Sequence, residues 1–537
     1  MTVLAERRAR PRSAMWALTG HAVLAFTRNP VAAFFTLVFP LAFLIILAAI
    51  IGDQRTEDGV PIVQYLVSPF AVFGAAQASF VLVAADTASL RESGVLLRLR
   101  ATPVAARTVL ASRIAAAVLA AGLAVLLLTT VGVLAYDVQI IGRKVPAMLI
   151  TLLLGTCCCA ALGLALAALT RTVLAAQSLA QGLLISLAYL SDVFLAGVTL
   201  PGWMQGLGSA LPLKHFARAM AETFEPTPGY GFSPGHLTVL VVWAVAGALV
   251  AGRWFAWQPR GVRAPRTVPE PAAPAPVRLS PPIRQRRSAP ALLSGQIAYA
   301  LLGQSRDMLG VFFSVAFPAL LLALFPAVFG GGRVHGMALA QYLYAAMIAY
   351  TAALTAYVNL PESVVAARSA GVLKRLRATP LRFRWYFAGR LCAALVVSAL
   401  AAVLLTAVGV GFLGVRLDLV RLPALLLAIV AGSLCFAALG LAIVTLMPAA
   451  RSLIAVTLGT LLPLCFASEI FVVGDQPLPG WLTTAANVLP LRHLLRAVLA
   501  ATDPAVTGPG FAAGHLAVLA AWTVLGLLVA ARRRVSW

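Results

Sequence analysis

Charged side chains are scarce. Asp, Glu, Lys and Arg make up only 11% of the 537 residues, and the acids contribute 17 of them against 41 Lys and Arg. A chain that is 61% hydrophobic, with a mean hydropathy of +0.94, has too little polar surface to enclose a soluble core, which excludes a soluble globular protein and leaves a polytopic membrane protein. No G-x-x-x-x-G-K-[ST] phosphate loop occurs, so the chain has no evident means of binding and hydrolysing ATP. H-E-x-x-H and G-x-S-x-G are missing as well, which argues against an enzyme. Only six cysteines are present, all in or at the ends of apolar runs. The Cys157-Cys158-Cys159 triplet spreads its thiols around a helix instead of converging them, so neither a metal site nor a disulfide is expected.

What is abundant is apolar sequence in runs of about 20 residues, enough to span a bilayer. Such runs lie near 31–51, 62–85, 114–135, 145–169, 173–197 and 237–257, and again near 309–329, 338–361, 391–413, 422–446, 450–473 and 512–531. The net charge of +24 sits in the loops between them, where it serves membrane orientation, and no nucleic-acid partner is expected. With the N-terminus inside, about 31 of the 41 Lys and Arg fall on the cytoplasmic side and about 10 outside, which places both termini in the cytoplasm by the positive-inside rule. Six spans per half is an even number, so the two halves run parallel. The first segment, basic and then apolar, has no convincing cleavage site and is expected to be retained. Residues 13–28 and 294–307 suit helices lying on the membrane surface.

The chain thus divides into a first half, 1–257, a linker, 258–292, and a second half, 293–537. The linker holds nine prolines and seven arginines and almost no large apolar residue, a composition that stays extended instead of building a core. The expected fold is all-α: two parallel six-span repeats, about twelve transmembrane helices, with interfacial N-terminal helices, cytoplasmic turns and external re-entrant helices.

The halves also repeat in detail. RESGVLLRLRATP, from Arg91 to Pro103, returns as RSAGVLKRLRATP from Arg368 to Pro380, 277 residues later. Each copy is a short basic loop between the second and third spans. Ser89 and Glu92 have the spacing of a capping box, which predicts a helix beginning at Ser89 and ended by Thr102-Pro103, with Leu90, Gly94 and Leu97 on one face and Arg91 and Arg98 on a neighbouring stripe. The second copy has Ala366 and Ser369 at the box positions, so the first helix is expected to be the better ordered.

A second repeated segment separates the fifth and sixth spans. It opens with Pro201-Gly202-Trp203 and Pro479-Gly480-Trp481 and continues as LPLKHFARAM and LPLRHLLRAV, carrying His215, Arg218, His493 and Arg496. Its apolar stretches are too short to span, so they read as re-entrant or interfacial helices. His215 and His493 read as interfacial residues or as a pH or metal feature. Just before this segment Asp192 and Glu469 stand near the outer ends of the two fifth spans. Charge within a span tends to face a cavity, so the pair either lines a path, favouring a cationic or hydrogen-bonding cargo, or is hydrated or paired with Arg218 and Arg496.

The basic loop after the second span, together with LP-x-[KR]-H-x-x-R before the last, resembles the ABC-2 type permeases, membrane subunits of one class of ATP-binding-cassette exporters. The likeness covers both halves and resembles fused actinobacterial exporters of antibiotics and drugs. It implies that the loops are coupling helices docking on an ATPase through Ser89, Arg91, Glu92, Gly94, Leu97, Arg98, Arg100 and Pro103 in one copy, and Arg368, Gly371, Lys374, Arg375, Arg377 and Pro380 in the other. It further implies a separate cytoplasmic ATPase in two copies that binds the ATP and Mg, no cofactor in this chain, a bacterial cytoplasmic membrane location with lipid contacts, and export of an amphiphilic drug, antibiotic or lipid. The segment from Pro201 and from Pro479 would form the exit lid. Read without the resemblance, the basic loops would touch anionic lipid. The competing architecture with two six-span halves is a proton-coupled secondary transporter.

Overall fold

The computed structural model describes residues 11–51, 54–56, 59–191, 193, 202–255, 288–329, 332–379, 381–446, 453–471 and 480–532. Most of the expected linker, from residue 258 to 287, lies outside them. The described chain is an all-α membrane protein, its one ladder being Arg333–Val334 against Met337–Ala338. Among the described residues eight helices are long and apolar enough to cross a membrane, or nine when the bent pair Ala14–Thr27 and Pro30–Ile45 counts as one. Three shorter apolar helices, Ala175–Leu190, Phe312–Pro326 and Val456–Ala467, stand where the remaining expected spans lie.

Each half opens with a helix set apart from its successor. In the first, Pro11–Thr27 breaks from the next helix by 81°. Asn29 accepts from the amide of Ala32 at 3.2 Å and Pro30 takes the first helical position, so the new helix starts with one free amide satisfied and another absent. In the second, Ala289–Ser305 precedes Asp307, which accepts from Gly310 N at 3.1 Å. These helices rest on the third long helix of their own half, Ala106–Tyr136 and Phe383–Phe412.

The second helix of each half, Val63–Glu92 and Leu339–Ser369, is the most buried, and the last, Pro234–Trp254 and Ala513–Arg532, the least. The buried pair carries a π-helical turn at matching places, Gln77–Val81 and Thr355–Asn359. Against the first of these packs Val145–Leu169, and against the second Leu422–Leu446. A Cβ on Gly163 would lie 2.6 Å from Phe80 O and 3.1 Å from Ser79 O, and one on Gly440 would lie 2.5 Å from Pro361 Cγ. Absence of a side chain is what lets the helices touch, the usual device where lipid offers no hydrophobic drive to association. Gly163→Val is expected to lower the thermal unfolding midpoint in detergent by several degrees, whereas Gly122→Ala, which meets nothing within 4 Å, should leave it unmoved.

Two large cores result, one per half, and each takes residues from the other. Ile185, Tyr189 and Met204 join the second-half core, and Leu458 and Leu462 pack on the first. The crossing is reciprocal: Phe43 meets Phe466 edge-on with centroids 4.5 Å apart, and Tyr189 lies 6.4 Å from Phe317 and 6.3 Å from Phe325. The first helix of each half therefore packs on the fifth of the other, as a two-fold pseudodimer requires.

The fifth helices stop short of the apolar runs that carry them. Among the described residues they are Val173–Leu190 and Leu453–Ala467, and they end before the expected limits 197 and 473. Hydropathy continues, but the backbone turns. Ile470 N bonds to Cys465 O at 2.9 Å and Val193 N to Ala188 O at 3.1 Å, the six-to-one closure of a Schellman end, with Glu469 left-handed at φ 66°.

Candidate functional site

The two basic turns lie at one end of the bundle. In the first, Val63–Glu92 runs unbroken past Ser89, Gly94 turns left-handed at φ 72° and a separate helix comes next, Val95–Arg100. The expected helix start at Ser89 is therefore corrected. Ser89 sits in the last turn of a continuous helix, where its O accepts from Ser93 N at 2.9 Å, and a cap has no free amides to satisfy there. The expected face changes too: Leu96 is buried and Leu97 is 45% exposed. Glu92 caps a different helix, accepting from Val173 N at 3.0 Å, beside Thr172, which accepts from Ala175 N at 3.1 Å. A carboxylate at a helix start also complements its dipole.

Arg91 is only 3% exposed, so its expected contact with an ATPase is corrected. It donates to Ala167 O at 2.6 Å and Thr170 O at 2.8 Å, closing the carbonyl end of Val145–Leu169. Of the residues assigned to that contact, Ser89, Glu92, Leu97, Arg98, Arg100 and Pro103 do face outward, with Gly94 half-buried.

The second turn has nearly the same geometry. Gly371 has φ 69°, Val372–Arg377 comes after it, and Leu373 is buried like Leu96. Thr102 and Thr379 each donate to the carbonyl three residues back at 2.6 Å. The expected difference in helix order is thus not present in the turns themselves. The copies differ instead in their partners: Glu92 accepts from Val173 N, whereas Ser369 donates to Ala366 O within its own helix. Lys374, Arg375 and Arg377 are exposed, Arg368 and Gly371 half-buried, and Pro380 lies outside the described residues.

At the opposite end, the mouth, equivalent residues bind the strands of the chain together. Gln64 donates to Gln139 O at 3.1 Å and Phe224 O at 2.8 Å and accepts from Gln139 N at 2.8 Å. Gln341 does the same with Arg416 O, Thr502 O and Arg416 N, at 3.0, 2.6 and 2.9 Å. Lys144 donates to Glu222 O, Glu225 O and Thr227 Oγ1 at 2.9, 2.7 and 3.0 Å, and Arg421 donates to Asp503 O and Val506 O. None of these residues was singled out from sequence. Gln64 and Gln341, like Lys144 and Arg421, are 277 apart, the spacing of the basic turns, and that spacing was the available signal.

The histidines of the expected lid are paired. His215 Nδ1 lies 2.8 Å from His236 Nδ1, and His493 Nδ1 lies 2.9 Å from His515 Nδ1. The Nε2 of His215 faces Ser209 O and that of His493 faces Asn487 O, each at 2.8 Å. A carbonyl only accepts, so both Nε2 atoms carry hydrogen, and the partner histidine must donate from Nδ1 when the pair is neutral. Each pair thus has both donors assigned, and among the described residues no cluster of three His, Cys, Asp or Glu could hold a metal. Trp203 is exposed on Gly202–Ala210 and Arg218 is exposed on Pro212–Phe224. Pro201, Pro479 and Asp192 lie outside the described residues, as does the side chain of Trp481.

Glu469 is buried against two cations, Arg496 at 3.4 Å and Arg492 at 3.6 Å, with His335 Nε2 also at 3.4 Å. Its backbone O accepts from Tyr342 Oη at 3.0 Å. Pairing with Arg496 was one of the sequence alternatives; Arg492 and His335 were not foreseen. One carboxylate against two guanidinium groups leaves no negative surplus for a cation.

Within each half, polar side chains meet inside the apolar bundle. Gln77 donates to Gln181 Oε1 at 2.9 Å, and Tyr357 and Thr460 oxygens lie 2.8 Å apart. Both pairs join a π-helical turn to a fifth helix. Nearer the basic turns, Arg113 meets Asp86 at 3.3 Å, while its counterpart Arg390 stacks over Tyr299 and Tyr386, 5.5 and 5.2 Å from their centroids.

Comparison with protein families finds the model described as ABC-2 type transporter matching twice, over residues 13–224 and 297–502. No match is found among the curated proteins.

Proposed function

Since the chain belongs to the ABC-2 type transporter family, and is therefore a transporter permease, we propose that it is a complete exporter pathway in one polypeptide. Two halves, joined through 258–292, enclose a single route across a bacterial cytoplasmic membrane, with both termini cytoplasmic. Two copies of a separate ATPase, which bind the ATP and Mg, dock on the basic turns through Leu97, Arg98 and Arg100 and through Lys374, Arg375 and Arg377. The cargo is an amphiphilic drug, antibiotic or lipid.

The observation that carries this reading is the pair of equivalent turns, each with an exposed basic surface and a buried leucine. In the first, Arg91 and Glu92 tie the turn to the fourth and fifth helices, so that docking at the turn moves helices of the bundle. The test is association of the purified chain with its ATPase. Arg98→Glu combined with Lys374→Glu and Arg375→Glu should weaken binding by at least about tenfold, and more at low salt than at high. Unchanged affinity would remove the turns from the interface, and transport driven by a proton gradient without ATPase would overturn the exporter reading.

A further inference from the structure

We propose that the mouth of the second half is a binding subsite for the anionic headgroup of an amphiphile, a carboxylate or phosphate held by Arg496 with the charge of Arg492 behind it. Where that amphiphile is the transported molecule, the proposal rests on the exporter reading; binding as such does not. Of the two sequence alternatives for Glu469, a path for cationic cargo or pairing with arginine, the geometry shows the pairing.

The first observation is a surplus of cationic donors. Glu469 has two carboxylate oxygens, and Arg492, Arg496 and His335 all converge on them. Its position is fixed from three directions: by the left-handed turn, by Tyr342 on its carbonyl and by these side chains. Arg492 is more than nine-tenths buried, and its Nη1 has no hydrogen-bond acceptor among the described residues. A buried guanidinium N–H without an acceptor is costly, and buried donors of native proteins normally have partners. Two guanidinium groups against one carboxylate leave a positive surplus, with Arg492 enclosed behind Arg496.

The second observation is room. Arg496, one helical turn beyond Arg492 on the same face, lines an open cavity of about 520 Å³ together with His335 and His515. That volume lies in the range of small-molecule sites, roughly 300–1,000 Å³. Leu499, Val506 and Met337 supply an apolar wall, so the cavity offers hydrocarbon on one side and guanidinium on the other. Asp503 is also at this cavity, but its Oδ1 accepts from Ala505 N at 2.9 Å and its carbonyl from Arg421, so it belongs to the rim turn and not to the Arg492 and Arg496 cluster. A planar guanidinium matches the paired oxygens of a carboxylate or phosphate, which a lone ammonium does not.

The experiment uses the full chain, without ATPase, in nanodiscs of zwitterionic phosphatidylcholine, and two fluorescent probes: a dansyl-labelled eleven-carbon carboxylic acid and the matching primary amine. The acid should bind saturably and be displaced by an alkyl phosphate, and the amine should not bind. Arg492→Gln and Arg496→Gln should each weaken the acid by at least about tenfold. Should either fail to fold, Leu499→Trp provides a second route, filling the cavity without touching a charge and abolishing binding. Equal binding of amine and acid, no binding of either, or unchanged affinity in folded arginine variants would overturn the proposal. Phosphatidylglycerol in the nanodisc then separates the sources: competition with the acid, and its retention by the native chain but not by Arg492→Gln in native mass spectra, identifies a lipid headgroup. Lack of competition, with the acid stimulating ATP hydrolysis once the ATPase is added, identifies cargo. Binding without any effect on ATP hydrolysis would show that the acid is not cargo and leave the subsite standing.

Discussion

Glu469→Ala is expected to destabilise the protein by about 3–5 kcal/mol, the cost of removing one partner from a buried charge network and stranding the others. Arg492 and Arg496 would remain at the mouth with no carboxylate between them. The loss should appear as a fall of several degrees in the thermal unfolding midpoint in detergent. The backbone adds a diagnostic, because Glu469 is left-handed at φ 66°, a conformation costing an L residue roughly 1–2 kcal/mol that glycine avoids. Glu469→Gly should therefore lose less than Glu469→Ala, although it removes the same carboxylate. Adding Arg492→Met to Glu469→Ala should restore part of the loss, since the buried charge goes with its partner. An unchanged midpoint for Glu469→Ala would show that the network does not hold the mouth.

Arg91→Ala is expected to abolish transport while leaving ATPase binding in place. Its two bonds to Ala167 O and Thr170 O, at 2.6 and 2.8 Å, are charge-assisted and buried, each worth about 1.5–3 kcal/mol. Their loss frees the turn from the fourth helix, but Leu97, Arg98 and Arg100 stay exposed for docking. ATP hydrolysis by the bound complex should continue with transport reduced at least about tenfold, a difference of about 1.4 kcal/mol or more in the coupled step. Arg91→Lys should fall between, since a single ammonium cannot fork to two carbonyls as a guanidinium does. Full transport by Arg91→Ala would mean that Glu92 and the buried Leu96 suffice for the link.

The order of the helices was legible because hydropathy and duplication report on the membrane and on the repeat, and both act along the chain. Gly94 and Gly371 show how far that reaches: recognised as repeat partners, they adopt the same left-handed turn to within a few degrees. The capping box failed for a physical reason. Ser89-x-x-Glu92 is a local pattern that fits the end of a helix as well as its start, and what decides between them is Val173, 81 residues away. The fifth helices were drawn too long because hydropathy cannot register a left-handed residue. His215 and His493 were noticed, but their partners His236 and His515 lie 21 and 22 residues on, across a turn whose geometry composition does not fix. His335 reaches Glu469 from another helix hairpin altogether, a contact that only the packed bundle brings about.

The bond from Glu92 to Val173 has a mechanical consequence. An α-helix of 18 residues is a rod about 27 Å long at 1.5 Å per residue, and Val173–Leu190 is such a helix, gripped at its first turn by Glu92 and ending at Ser191 by the mouth. Because a helix barely compresses, a displacement of the basic turn along this axis arrives at the far end almost undiminished, like the stroke of a pushrod. In the second copy Ser369 spends its hydroxyl on its own helix. A thrust on the first turn would thereby become travel at the mouth, carried by one helix.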